Sequence, residues 1–377
     1  MTEPDYQDAE MIEQQPPRLA LPPPSYRMPD PGPIATGIVD AVLLWIEKRP
    51  LAAAGVIFAA LTALHVLILN LTGIASGLYI GDTFIFAAGS TPIEIVLLAF
   101  VAYNVVLPTL FAHACIKAYD DLRPTIALDE RQFGQTRASL LDPFYMIRLV
   151  AGLLWAVLLT PVFGSLLRNA IPGDGVTAAL LTIWMYIRIA LTFGLLGASI
   201  GFIVMLHHRF RVTTASYLRV DLFDTLALQP VAKYARRVAL YLIILLALAG
   251  PAVAQPEAMT ASAILLALGI VLTIVAVAGA MWGVRRAVRA AKKTALAELQ
   301  TYSRELWRRA YVNNHVAEAV AIPALGAMIT VRNEIARLSD WPGGWAVLAR
   351  VATLTLIPLV SWFGGQLAAE VMATLAP

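Results

Sequence analysis

Ala280-Met281-Trp282-Gly283-Val284-Arg285-Arg286-Ala287-Val288-Arg289-Ala290-Ala291-Lys292-Lys293 is the stretch on which the architecture turns. Residues 262–283 before it carry no charge, and about 20 apolar residues suffice to cross the hydrocarbon of a bilayer as a helix. Arg285, Arg286, Arg289, Lys292 and Lys293 then follow within three helical turns. A basic border on an apolar segment marks its cytoplasmic end. The helix does not stop there: Val284, Val288, Ala291, Ala295, Leu299, Tyr302 and Leu306 recur at steps of three or four, with charges on the other faces, the spacing of a helix with one apolar stripe. A membrane span is expected to run on as a stalk, about 45 Å long between Val284 and Asn313 at 1.5 Å per residue.

Working outward, the same alternation covers the whole chain. All of its 28 Lys and Arg except Arg168 and Arg188 fall in, or at the edges of, alternate gaps between long apolar segments. Seven such segments are expected to span, at about 51–72, 93–116, 146–166, 179–206, 238–256, 262–283 and 346–373. The gaps at 74–90 and 250–262 lack cations, and 167–176 has only Arg168, so these face outward. The expectation is an all-α, polytopic transmembrane helix bundle of about seven spans, N-terminus in and C-terminus out, with a cytoplasmic helical domain. The segment 177–206 is long for one span and contains Arg188; it reads either as one tilted span or as an interfacial helix leading into a span.

Composition agrees. Hydrophobic residues make up 59% of the 377-residue chain, charged residues 14%, and mean hydropathy is +0.71, values foreign to a water-soluble domain of this size. The beginning of the chain has no basic stretch followed by a short apolar core, so the first apolar segment is expected to serve as its own insertion signal. The Ala- and Leu-rich composition points to a bacterial inner membrane. Cys115, the single cysteine, excludes an intrachain disulfide and reads as a free structural thiol.

Four regions follow. Residues 1–34 form a Pro-rich cytoplasmic tail expected to be disordered; its Pro23-Pro24-Ser25-Tyr26 matches a PPxY ligand pattern but reads as linker. Residues 35–283 hold the first six spans and their loops. Residues 284–344 form the stalk and a second amphipathic helix, from about Ala324 to Leu338, started by Pro323 and stopped by Trp341-Pro342-Gly343-Gly344. Residues 345–377 carry the last span. Within the fourth loop, Arg211 to Leu222 alternates partly like a strand, and Gln229-Pro230 marks a helix start.

Chemistry-bearing motifs are sparse. Gly197-Ala198-Ser199-Ile200-Gly201 spells GxSxG, but the nucleophile elbow needs a strand before its serine. Gly194, Gly197 and Gly201 instead read as a small-residue face for close helix approach. His207-His208 and the His113/Cys115 pair are badly spaced for a metal. No Walker A loop, HExxH or CxxC occurs. The expectation is therefore a non-enzymatic protein with no cofactor and no metal.

Ionisable residues inside spans are costly and point to function or pairing. Arg188 is the clearest, with Glu94 and Glu370 expected at the same outer level; snorkelling to headgroups is the alternative. Asn104 lies four residues before Pro108, a polar side chain beside an expected bend. His65 and Asn70 share the first span. Arg285, Arg286, Arg289, Lys292 and Lys293 are placed for anionic headgroups on the cytoplasmic face. The partners expected are the bilayer and a second copy of the chain in a homo-oligomer, not nucleic acid.

In layout alone, a seven-span chain whose sixth span extends into a cytoplasmic helical domain resembles the chemoreceptor-like channels of insects, without their C-terminal motif. That resemblance implies a homotetramer with a pore lined by the last span around Thr353, Thr355, Ser361 and Gln366. A channel or ligand-gated pore assembled through the cytoplasmic domain is the first functional expectation, a membrane-anchored sensor or scaffold docking a soluble partner the second. A secondary transporter comes third, because the span count is odd and no repeated halves are visible.

Overall fold

In the computed structural model, residues 45–71, 91–140, 145–167, 175–253, 259–312 and 318–341, with 349 and 353, are described. They are almost wholly helical. The elements are α1 (Pro50–Leu71), α2 (Thr91–Asp121), a 3-10 turn at Arg123–Thr125, α3 (Glu130–Leu140), α4 (Tyr145–Leu167), α5 (Gly175–Tyr217), a 3-10 turn at Thr225–Leu228, α6 (Gln229–Val253), α7 (Met259–Val312) and α8 (Glu318–Arg337). Five stretches, Pro50–Leu71, Ile95–Asp121, Met146–Gly164, Ala178–Tyr217 and Gly269–Arg308, are long and apolar enough to cross a bilayer, which fits a multi-pass membrane protein. They coincide with five of the seven expected segments. α6 covers the expected segment 238–256 as far as Val253; the tail 1–34 and most of the expected last span, Ser361 and Gln366 included, lie outside the described residues.

α2 is the axis of the bundle. Leu98, Val106, Leu107, Phe111, Cys115 and Tyr119 along it are all buried, packed by α1, α5 and α6. α1 and α4 are the opposite: Leu51, Leu67, Leu71, Leu153, Val157 and Leu158 stand exposed. For a helix in hydrocarbon such a face needs no protein partner, since lipid is as apolar as leucine.

α4 and α5 form an antiparallel hairpin whose closeness is set by glycine. A Cβ built on Gly197 would lie 2.7 Å from the Ala151 carbonyl oxygen and from the Trp155 side chain, and one on Gly152 would lie 2.8 Å from the Gly194 carbonyl oxygen. The small-residue face expected on α5 is thus a helix contact. α5 itself runs unbroken through 177–206, so that segment is a single helix rather than two pieces.

Two expectations are corrected. Arg211 to Tyr217 is the end of α5 and not a strand; just beyond it Leu218 forms an isolated antiparallel bridge with Ile126, flanked by Ala127 N–H to the Tyr217 carbonyl at 2.8 Å and Arg219 N–H to the Thr125 carbonyl at 2.7 Å. A helix already propagating through an apolar stretch gains one bond per added residue, which outweighs a weak alternation. α8 starts at Glu318, five residues before Pro323; a proline close to a helix start forfeits a single rung.

α7 is continuous from Met259 to Val312, about 80 Å at 1.5 Å per residue. Its apolar half and charged half are one helix. At its middle Gly283 presses against α5, where a Cβ would meet the Thr214 hydroxyl and the Arg211 carbonyl. α8 folds back along the charged half.

Candidate functional site

Two polar places stand out, one inside the apolar helices and one at their charged end.

Inside, Pro108 lacks an N–H, so the carbonyl of Asn104 one turn earlier loses its helical donor. The Ser199 hydroxyl, buried on α5, donates to that same carbonyl at 3.1 Å. The serine of the GxSxG string therefore repairs a proline break instead of poising a nucleophile. Asn104 is buried, and its Nδ2 donates back to the Phe100 carbonyl at 2.9 Å; its Oδ1 has no hydrogen-bond partner among the described residues. Nearby on α2 the Tyr103 hydroxyl donates to the Tyr241 carbonyl of α6 at 3.1 Å. Asn104 and Pro108 meet here in a tie between α2 and α5.

Arg188 is only 9% exposed, and its guanidinium carbon lies 5.7 Å from the Trp184 ring centroid. The Trp184 indole N–H donates to His65 Nδ1 of α1 at 3.0 Å, and His65 is 2% exposed. Residues at i and i+4 share a helix face, so the Trp184/Arg188 spacing was the signal for this cluster, one that charge alone did not reveal. Glu94 belongs to the first turn of α2. Glu370 lies outside the described residues, and so do Ser361 and Gln366; the pore lining implied for the last span falls there too, apart from Thr353.

At the charged end, α8 is clasped to α7. The Asp340 carboxylate accepts from Arg289 Nε at 2.8 Å and from Lys292 Nζ at 3.0 Å. Lys292 also donates to the Leu338 carbonyl at 2.9 Å, which places a cation at the negative end of α8. Arg289 and Lys292 hold the Asp340 carboxyl below the usual carboxylate range, Arg289 contributing most. Arg285 stacks between two indoles, 5.1 Å from Trp282 and 4.3 Å from Trp341. Of the five cations assigned to lipid headgroups, three are thus engaged within the protein, while Arg286 and Lys293 are exposed. Trp341, read from sequence only as part of a helix stop, and Asp340 before it prove to be the fastening.

Beyond the clasp, Tyr302 is 60% and Trp307 54% exposed on α7, with Ile329 57% exposed on α8. Two surface cavities lie between the helix ends. One of about 450 Å³ is lined by Pro124, Thr125, Arg219, Asp221, Asp224 and Leu228. The other, of about 260 Å³, lies between α2 and α6. No group of three or more His, Cys, Asp or Glu suited to a metal occurs among the described residues.

Comparisons with protein-family models, with characterised proteins and with solved structures return no match.

Proposed function

We propose that the protein is a membrane-anchored docking protein, with α1 to α6 and the first half of α7 as anchor and the α7–α8 arm as the part that meets a soluble partner on the cytoplasmic side. The observation that carries this is the exposed aromatic and aliphatic surface of the arm, Tyr302, Trp307 and Ile329, on a helix pair already fastened by Asp340 and Arg285. Aromatic side chains with arginine are the groups that dominate protein interfaces. From Val284 to Trp341 ten Lys and Arg face five Asp and Glu, so an acidic protein surface is the complementary occupant. α7 is one continuous helix through the arm and α8 is fastened to it at Asp340, so docking orders few residues and the entropic cost is low.

The experiment is site-specific photo-crosslinking in cells, with a photoreactive side chain at 302, 307 or 329 and, as a control, at 157 on the exposed face of α4. The expected outcome is a discrete adduct with a soluble acidic protein from the three arm positions and not from position 157. Adducts joining two copies of the chain would overturn docking in favour of assembly through the arm, the premise of the pore reading. Absence of any protein adduct from all three arm positions would remove the docking role.

A further inference from the structure

We infer that the cavity between α2 and α6 is a binding site for a phosphate-bearing anion, at the level where both helices pass from apolar to charged. It is independent of the docking role of the arm.

The argument begins with spacing. Lys117 and Asp121 sit four residues apart at the end of α2, and Lys233 and Arg237 four residues apart at the beginning of α6; each pair shares a face of its helix. The two helices run antiparallel with Tyr103 against Tyr241, which brings the two pairs to opposite walls of one cavity of about 260 Å³. Ala114 and Ala118 line it on the α2 side, Pro230 and the buried Tyr234 on the α6 side.

Charge comes next. Three cations and one carboxylate line the cavity. Two cations near this end of α2 are neutralised: Arg123 is paired with Glu130 at 2.7 Å and Arg137 with Asp120 at 2.8 Å. Lys117, Lys233 and Arg237 make no such pair with any described residue. Like charges gathered around a hollow repel one another unless something anionic sits between them. Their side chains are different tools for the purpose: Arg237 offers a planar fork suited to two phosphate oxygens, and the lysines offer mobile point charges.

Size and position narrow the ligand. The cavity is smaller than the roughly 300–1,000 Å³ that encloses a drug-sized molecule, so a single phosphate group fits its scale better than a nucleotide. Val238, Ala239 and Leu242 continue α6 away from the cavity as buried apolar helix, and Ile95–Asp121 of α2 is itself apolar enough to span. A phosphodiester held here would sit at headgroup depth, where basic pockets between spanning helices take anionic lipids. The shared chemistry is a phosphate monoanion or dianion, supplied either by a phosphatidylglycerol headgroup or by free inorganic phosphate.

The test uses the full chain, purified in a neutral detergent, with native mass spectrometry and thermal melting against three probes: phosphatidylglycerol, phosphatidylcholine and inorganic phosphate. Wild type is expected to bind phosphatidylglycerol in preference to phosphatidylcholine. With each near-surface cation contributing on the order of 1 kcal/mol, Lys233→Gln should weaken that binding about fivefold and Lys117→Gln/Lys233→Gln about 25-fold. Lys233→Arg, which keeps the charge, should retain it, and Arg236→Gln on the neighbouring exposed position should change little. If inorganic phosphate alone binds and is lost in the same variants, the site stands and its ligand is soluble. Equal binding of the two lipids with no effect of phosphate, or a preference undiminished in the double variant while its melting temperature matches wild type, would overturn the site.

Discussion

At the scale of single residues, the most informative contact is the Ser199 hydroxyl on the Asn104 carbonyl at 3.1 Å. It has value only because Pro108 removed the ordinary donor. Ser199→Ala should cost about 1–3 kcal/mol, the range for a buried acceptor left without its partner, read as a lower melting temperature in detergent. In a Pro108→Ala background, residue 108 supplies an N–H and the same serine substitution should cost almost nothing. Additive losses in the double variant would show that serine and proline act separately. Sequence could say that a proline four residues after Asn104 frees a carbonyl. It could not say which residue 95 positions away would answer it, because that depends on the register of α2 against α5. The same limit hid the His65 to Trp184 hydrogen bond of 3.0 Å, which joins side chains from two helices.

At the scale of elements, two glycines lend themselves to opposite perturbations. Gly197→Leu should force α4 and α5 apart, since even a Cβ there lies 2.7 Å from the Ala151 carbonyl oxygen; the expected loss is about 1–3 kcal/mol or more. Gly55→Ala on α1 has nothing within 4 Å of its new Cβ and should be neutral or stabilising by up to about 1 kcal/mol. Chemical unfolding in mixed micelles measures both, and equal effects would sink the packing account. The clasp of α8 onto α7 is an acid-sensitive contact. Asp340 has its pKa lowered in the folded state, so its contribution is present above the ordinary carboxylate pKa of about 3.9 and disappears as pH falls through the lower folded value. Distances between spin labels at 299 and 329 should therefore be constant from neutral pH down to about 4 and broaden below it. Asp340→Asn should show the broadened distribution at every pH. The two helices of the arm were legible from three-and-four spacing, while their fastening was not, because Asp340 and Trp341 reach residues some 50 positions back.

At the scale of the whole molecule, the periodic signals were strong and the tertiary ones weak. Apolar runs and the distribution of cations announce spanning helices directly, since hydrocarbon thickness and backbone satisfaction leave little choice. Which helix lies central cannot be read that way: α1 and α2 are similarly apolar, yet one is mostly exposed and the other mostly buried. Along α2 the polar and aromatic residues Tyr103, Asn104 and Tyr119 are all buried, whereas on α1 the buried polar residue is His65. The sidedness expected from Lys and Arg has a direct check. On a Cys115→Ala background, single cysteines at 129 and 221 should react with an impermeant maleimide only in inside-out vesicles, and one at 172 only in right-side-out cells. Wild-type Cys115, fully buried, should stay unlabelled in the folded protein from either side. Reaction of 129 and 172 from the same side would refute the alternating arrangement.

The unbroken course of α7 from Met259 to Val312 has a mechanical meaning. A rod without a hinge transmits rotation: whatever turns its apolar half turns Tyr302 and Trp307 by the same angle, at a distance set only by helical rise. Azimuth then decides which way Tyr302 and Trp307 face. One alanine inserted after Gln300 would swing Trp307 by about 100° while leaving the helix intact, and seven would return it to within about 20° of its original heading. Crosslinking at position 307 should vanish with the single insertion and reappear with the sevenfold one, so that phase rather than length governs what the arm reaches.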